Sequence, residues 1–124
     1  MKKYKREAFG MQFTVVENSF LPPRGYSAIN LGWIFTRNAD DVKDNSDTLQ
    51  HEAIHRLQMR EILYVPFFLL YVLEYFVKLC ICWNADRAYR SISFEQEAYY
   101  FERFECYRRY RKRFRFMEFV FKLI

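Results

Sequence analysis

Only three glycines and three prolines punctuate the 124 residues, and the stretch from Thr48 to Val65 holds neither. Folds built from many short strands need tight turns, and tight turns draw on those two residues. An all-β fold therefore does not fit, and helix is expected to dominate. Hydrophobic residues make up 52% of the chain and charged residues 28%, a balance that buries a core and does not suit a disordered chain. The length suits one domain over residues 1–124. It is too short for a doubly wound nucleotide fold or a TIM barrel.

Strand signals are confined to the first third. Met1–Arg6 reads as a solvated arm and Phe9–Val16 as a short strand. Leu21-Pro22-Pro23-Arg24-Gly25 is a turn or loop. Ser27–Arg37 alternates Ile29, Leu31, Trp33 and Phe35 with smaller or polar residues, which reads as a strand with one apolar face. An acidic loop, Asn38–Asp47, follows. Ser46 or Asp47 can cap a helix, and Asp47 with Gln50 fits a capping box. The first helix is expected from Thr48 to about Val65, with a break or kink at Pro66. A second, strongly apolar helix is expected over Phe67–Trp83 and a turn over Asn84–Arg87. A third helix is expected to open at Ser91-Ile92-Ser93 and run toward Phe116.

The net charge of +5 is local. Residues 103–124 hold eight Lys and Arg against Glu105 and Glu118, so the remainder is close to neutral. Cys80, Cys82 and Cys106 are odd in number and form no CxxC pair, which argues against a secreted disulfide framework. Cys80 and Cys82 read as core residues. No apolar stretch of signal-peptide length follows the basic start, so the expected compartment is the reducing cytoplasm, with membrane association as an addition.

The chemistry-bearing motif is His51-Glu52-Ala53-Ile54-His55. These are the chain's two histidines, and they fall four apart. On a helix, positions i and i+4 share a face, so both imidazoles can reach one tetrahedral Zn²⁺. Glu52, between them, is placed to take a proton from a metal-activated water. A catalytic zinc site needs a third protein ligand, and no third histidine exists. The run Phe94-Glu95-Gln96-Glu97-Ala98-Tyr99 offers two carboxylates about 200° apart around a helix, so at most one faces the metal. Glu95 shares its face with the small Ala98, which permits close approach to the histidine helix. Glu97 shares its face with Phe94, Phe101 and Phe104, which reads as core, where a buried carboxylate needs a partner. Glu95 is the favoured ligand, and Glu97 is the alternative.

With Glu95-x-x-Ala98 downstream of His-Glu-x-x-His, the chain resembles the gluzincin branch of zinc metallopeptidases. Gln58, the Tyr-rich second helix and Ala88-Tyr89-Arg90 through Tyr99 extend the resemblance to small bacterial proteins of minimal zincin type. It covers roughly Ser27 to Tyr99. The resemblance implies an α+β fold, with a small sheet over an active-site helix and a glutamate helix. It implies His51, His55 and Glu95 as zinc ligands, Glu52 as general base, and a peptide or protein as substrate. Two departures stand out. Arg56 follows the second histidine where an uncharged residue is usual, and Tyr99 occupies the place of an Asp found in thermolysin-like relatives. Tyr89, Tyr99 and Tyr100 are candidates for an oxyanion-stabilising hydroxyl.

Two segments fall outside this reading. Ile62–Trp83 is long enough to cross a bilayer, although Glu74 and Lys78 sit within it and can pair at i,i+4. It is expected to be a helix covered by the sheet and the glutamate helix, with membrane association the alternative. Tyr107–Phe116 interleaves Arg and Lys with aromatics, a composition that suits base stacking or anionic lipid headgroups as well as a packed terminal helix. A non-catalytic nucleic-acid or membrane-surface module is thus the second function class.

Overall fold

The structure, a computed structural model, describes residues 1–124. It is an α+β fold. A four-stranded mixed sheet in the order β1-β2-β4-β3 comes from the first third of the chain. Strand β1 (Lys2–Ala8) and strand β2 (Met11–Glu17) form an antiparallel hairpin. Its two turn residues, Phe9 and Gly10, both have positive φ, as a two-residue turn between right-twisted strands requires. The start of the chain is thus a strand, not a solvated arm. Lys2, Lys3 and Lys5 are exposed along it, and lysines suit an edge strand because they discourage pairing with other chains.

The expected single strand over Ser27–Arg37 is two short ones, β3 (Ala28–Asn30) and β4 (Ile34–Thr36). Gly32 between them has φ +104°, which lets the chain reverse. Strand β4 pairs parallel with β2 and antiparallel with β3, leaving β3 at the edge.

Helix α1 (Asp47–Ile62) packs on the inner face of this sheet. Ser46 caps it by accepting a hydrogen bond from the Leu49 amide at 3.2 Å. Phe13, Val15 and Ile34 from the sheet meet Leu49, Ala53 and Ile54 from the helix in one buried cluster. The helix ends at Leu63, whose φ is +70°, and not at Pro66. Pro66 lies in the first turn of helix α2 (Tyr64–Cys82), where its missing N–H has no helical partner to lose.

Helix α3 (Ala85–Ser91) occupies the expected turn, capped by Asn84, whose side chain accepts from the Arg87 amide. Helix α4 (Ser93–Phe101) crosses α1, with Ala98 and Ala53 fully buried in the shared core. It stops well short of Phe116. Tyr107 folds back to stack on Phe101, with ring centroids 4.1 Å apart and planes 6° from parallel. The residues beyond form only helix α5 (Tyr107–Tyr110) and a short 3₁₀ segment, Arg115–Phe119. Tertiary contacts override helix propensity there.

Helix α2 is covered on one side only. Its buried residues are Phe67 and Lys78, and its exposed ones include Leu69, Leu73, Phe76 and Ile81. The expected cover by the sheet and the glutamate helix is only partial, since α4 meets one side of α2 and the other side is exposed; Cys80, expected in the core, is exposed, with Cys82 intermediate. Glu74 and Lys78 do pair, at 2.9 Å. They serve as the polar anchor of α2 on α4: Glu74 accepts from the Ser93 amide and hydroxyl, and Lys78 donates to the Ser91 carbonyl.

Candidate metal centre

Helix α1 buries five polar side chains, and His51, His55 and Gln58 among them meet α4. Gln50, His51, Glu52, His55 and Gln58 are all inside. Burying such groups is costly unless each finds a partner, and the partners reveal how the site is built. The Nε2 atoms of His51 and His55 converge on one oxygen, Oε1 of Glu95, at 2.8 and 3.2 Å. One ligating atom from each of the three residues lies within 4.8 Å of the others. Ligands about 2.0–2.1 Å from a tetrahedral ion sit roughly 3.3–3.4 Å from one another. The donor set, two imidazoles and a carboxylate, is one that fits a divalent ion of the zinc type.

The opposite sides of the three groups are fixed as well. Gln58 donates from Nε2 to the Phe94 carbonyl and to Glu97, both at 3.0 Å. Its Oε1 must therefore face His55, where it meets Nδ1 at 2.8 Å. That arrangement puts the proton on Nδ1 of His55 and turns Nε2 toward Glu95. Glu102 does the same for His51, with Nδ1 3.1 Å from its Oε1. Tyr71 donates to the second oxygen of Glu95 at 2.5 Å.

Charge follows this geometry. Burial disfavours an imidazolium at position 51, but hydrogen bonds to Glu102 and Glu95 outweigh it and raise the pKa to about 10. Burial likewise opposes the charge on His55, yet Glu95 raises its pKa. Glu95 is pushed up by burial but held far below the usual carboxylate range by the two histidines. Positive charge on His51 thus balances Glu95 in the metal-free protein, at the place where a cation would sit.

Glu52 behaves differently. Its carboxylate makes no hydrogen bond or ion pair; its backbone carbonyl accepts from Asn30 at 3.0 Å. Burial raises its pKa to about 7, with His51 and His55 acting against that rise. A cavity of about 360 Å³ is lined by Glu52, His55, Glu95, Tyr71 and Tyr89. A smaller one of about 220 Å³ is lined by His51, Glu52, Tyr89, Tyr99 and Glu102. Glu52 and Tyr89 border both, and so does Ala28 of the edge strand β3.

The structure brings His51, Glu52, His55 and Glu95 together. Glu97 stays out of the cluster. It is fully buried, and its partner is Arg111, at 2.6 Å, with Tyr107 donating to it at 2.6 Å. Arg111 also pairs with Glu61 at 2.8 Å. Part of the basic tail is therefore internal structure: Arg111 is in the core network, and Arg108 donates to the Phe9 carbonyl. Tyr89 and Tyr99 border the site, whereas Tyr100 is exposed and packs against Phe101 and Phe119. Arg56 turns away from the site. It donates to the Gln12 and Gly32 carbonyls and stacks 3.9 Å over Phe13, so its charge ties α1 to the sheet.

Sequence reasoning missed Tyr71 and the roles of Gln58 and Glu102. Gln58 lies three residues beyond His55, on the face it shares with the residue it serves, and Glu102 lies seven beyond Glu95, on the face that Glu95 turns toward the histidines. Tyr71 left no such signal. Comparison with family models, curated proteins and solved structures returns no match for this chain.

Proposed function

We propose that this chain is a zinc-dependent hydrolase of minimal zincin type, and that its substrates are peptides. The observation that carries the reading is the convergence of two buried Nε2 atoms on one carboxylate oxygen, beside a buried carboxylate that has no partner of its own. His51, His55 and Glu95 would hold the ion. Zinc in such a setting supplies Lewis-acid polarisation of a carbonyl and acidification of a water.

The protein's own residues then divide the remaining work. Glu52, with a pKa raised to about 7, is poised to accept a proton near neutrality and to return it to a leaving group. Gln58 and Glu102 hold the histidine tautomers. Tyr89 and Tyr26 both border the two cavities, and their hydroxyls are the candidates to meet a developing oxyanion. Peptides are favoured over other amides or esters because β3 is the edge strand that lines the larger of these two cavities. An extended substrate can add to that edge through main-chain hydrogen bonds.

The test has two parts. The purified chain should carry about one zinc ion, lost on His51→Ala or His55→Ala; equal metal content in the wild type and the double variant refutes the proposal. Glu52→Gln should keep the metal and the fold while removing hydrolysis of a peptide library. Activity within about tenfold of wild type in that variant would show that Glu52 is not the base.

A further inference from the structure

We propose that α2 docks the protein onto an anionic lipid bilayer, lying in the plane of the interface with its exposed side in the acyl region. The docking does not depend on a bound metal; it rests on the shape and charge of the exposed side of α2, one edge of which, at Val72, borders the larger cavity.

Helix α2 is long and apolar enough to cross a membrane, yet little of it is buried in the protein. Its 19 residues span about 28 Å. Val65, Leu69, Val72, Leu73, Phe76 and Ile81 are exposed, and at about 100° per residue the exposed positions cover an arc of roughly 180°. An arc that wide exceeds the narrow seam through which one partner helix packs. The two charges of the helix, Glu74 and Lys78, lie largely covered along the inner edge of that arc and neutralise each other at the α4 junction. No polar side chain interrupts the exposed arc.

The neighbouring segments extend the same surface. Phe121 and Leu123 line a groove with Leu70, Leu73, Val77 and Ile81 of α2. Trp83, at the C-terminal end of α2, is 85% exposed, and tryptophan favours the headgroup level of a membrane. Charge complementarity selects the occupant. The segment that leads into the apolar groove contains Arg109, Lys112 and Arg113, all exposed and free of ion pairs. The Phe114 amide binds Glu61 near the end of α1, which brings this basic turn to the start of α2. Cations beside a broad apolar face are the signature of attachment to anionic lipid. A spanning orientation is disfavoured by the covered side of α2, where Tyr71 holds Glu95 and Lys78 holds the Ser91 carbonyl. Those polar partners belong to the folded domain and would follow the helix into hydrocarbon.

Flotation of the full chain with vesicles decides the matter. The probes are vesicles of phosphatidylcholine alone and of phosphatidylcholine with phosphatidylglycerol. Wild type should float with the mixed vesicles and less with the neutral ones, and the difference should shrink at high salt. Leu69→Glu/Leu73→Glu/Phe76→Glu should weaken partitioning by more than about a hundredfold while keeping wild-type helix content. Lys112→Glu/Arg113→Glu should remove only the preference for the anionic vesicles. The proposal is overturned if wild type stays unbound to both vesicles, or if the triple variant floats as wild type does. It is also overturned if wild type is a dimer in solution that the triple variant converts to monomer while neither binds vesicles, since the face then belongs to a second copy. Should the triple variant fail to fold, Trp33→Phe leaves Trp83 as the sole tryptophan. Its fluorescence should then be quenched by vesicles of brominated lipid, and unchanged fluorescence overturns the proposal.

Discussion

Glu95 and Glu97 are two residues apart on one helix, yet their removal should damage different properties. Glu97 is fully buried, and the Arg111 side chain opposite it is 6% exposed, so solvent screens their pairing little. Glu97→Ala leaves Arg111 with Glu61 alone and strips an acceptor from Tyr107 and from Gln58. Breaking one side of a buried pair typically costs about 3–5 kcal/mol. For a domain of this size that corresponds to a fall in Tm of roughly 10–25 °C. The effect on the metal should be indirect, through a loosened Gln58, and limited to about 10–100-fold in affinity. Glu95→Ala should do the reverse. It removes the oxygen on which both histidines converge, so zinc binding should be lost, while the Arg111 network stays whole. Thermal unfolding in the presence of a chelator separates the stability effect from the metal effect. Zinc competition against a chromophoric chelator then ranks the affinities. If Glu97→Ala abolishes zinc binding yet melts with wild type, the assignment of Glu95 to the metal and Glu97 to the core is reversed.

Three further outcomes follow from the same contacts. Gln58→Leu removes the acceptor that fixes His55 Nδ1 and should weaken zinc binding about 10–100-fold without unfolding the chain; unchanged affinity would mean that Gln58 does not set the tautomer. Zinc affinity should climb by about tenfold per pH unit for each proton displaced, because the metal-free His51 keeps its proton up to about pH 10; a flat profile between pH 6 and 9 contradicts this. The metal-free fold should have its own pH dependence. A raised His51 stabilises fully below the ordinary histidine value of about 6.5, and that stability fades as pH rises through about 10. The raised Glu52 acts in the same direction, its contribution fading as pH rises through about 7. Chelated protein should therefore melt lower at pH 9 than at pH 6, and the opposite order refutes the charge assignment.

What could be read from the sequence was whatever depends on local periodicity. His51 and His55 at i,i+4, Ala98 one turn from Glu95, and the Glu74–Lys78 pair all follow from helix geometry, and the structure places each accordingly. Segments whose conformation is set by distant partners carry no such local signal. The third helix carries no breaker after Phe101, and it ends because Tyr107 and Arg111 reach back to Glu97. Strand β1 was lost among lysines that belong on an edge. The sequence of α2 cannot say how many sides are covered, since an apolar helix has the same composition in a core and at a membrane. The partner of Glu97 was hidden for a related reason: Arg111 sits in a run of basic residues that, one by one, look solvated.

Helix α1 buries five polar side chains, in a chain of 124 residues whose three cysteines are free. Small domains have limited apolar area to offset such burial. Four of the five are engaged or poised: the histidines with Glu95, Glu102 and Gln58, and Glu52 against the cavities. Gln50 is the exception, with its Oε1 buried and unpaired. A ligand that binds the folded state alone stabilises it in proportion to the logarithm of its concentration over Kd. An ion held by His51, His55 and Glu95 would thus contribute to the fold as well as to chemistry, much as structural zinc does in small domains. On that argument the proposed zinc should raise the melting temperature of wild type and leave that of Glu95→Ala unchanged. The same shift in both would mean that the ion acts elsewhere on the protein.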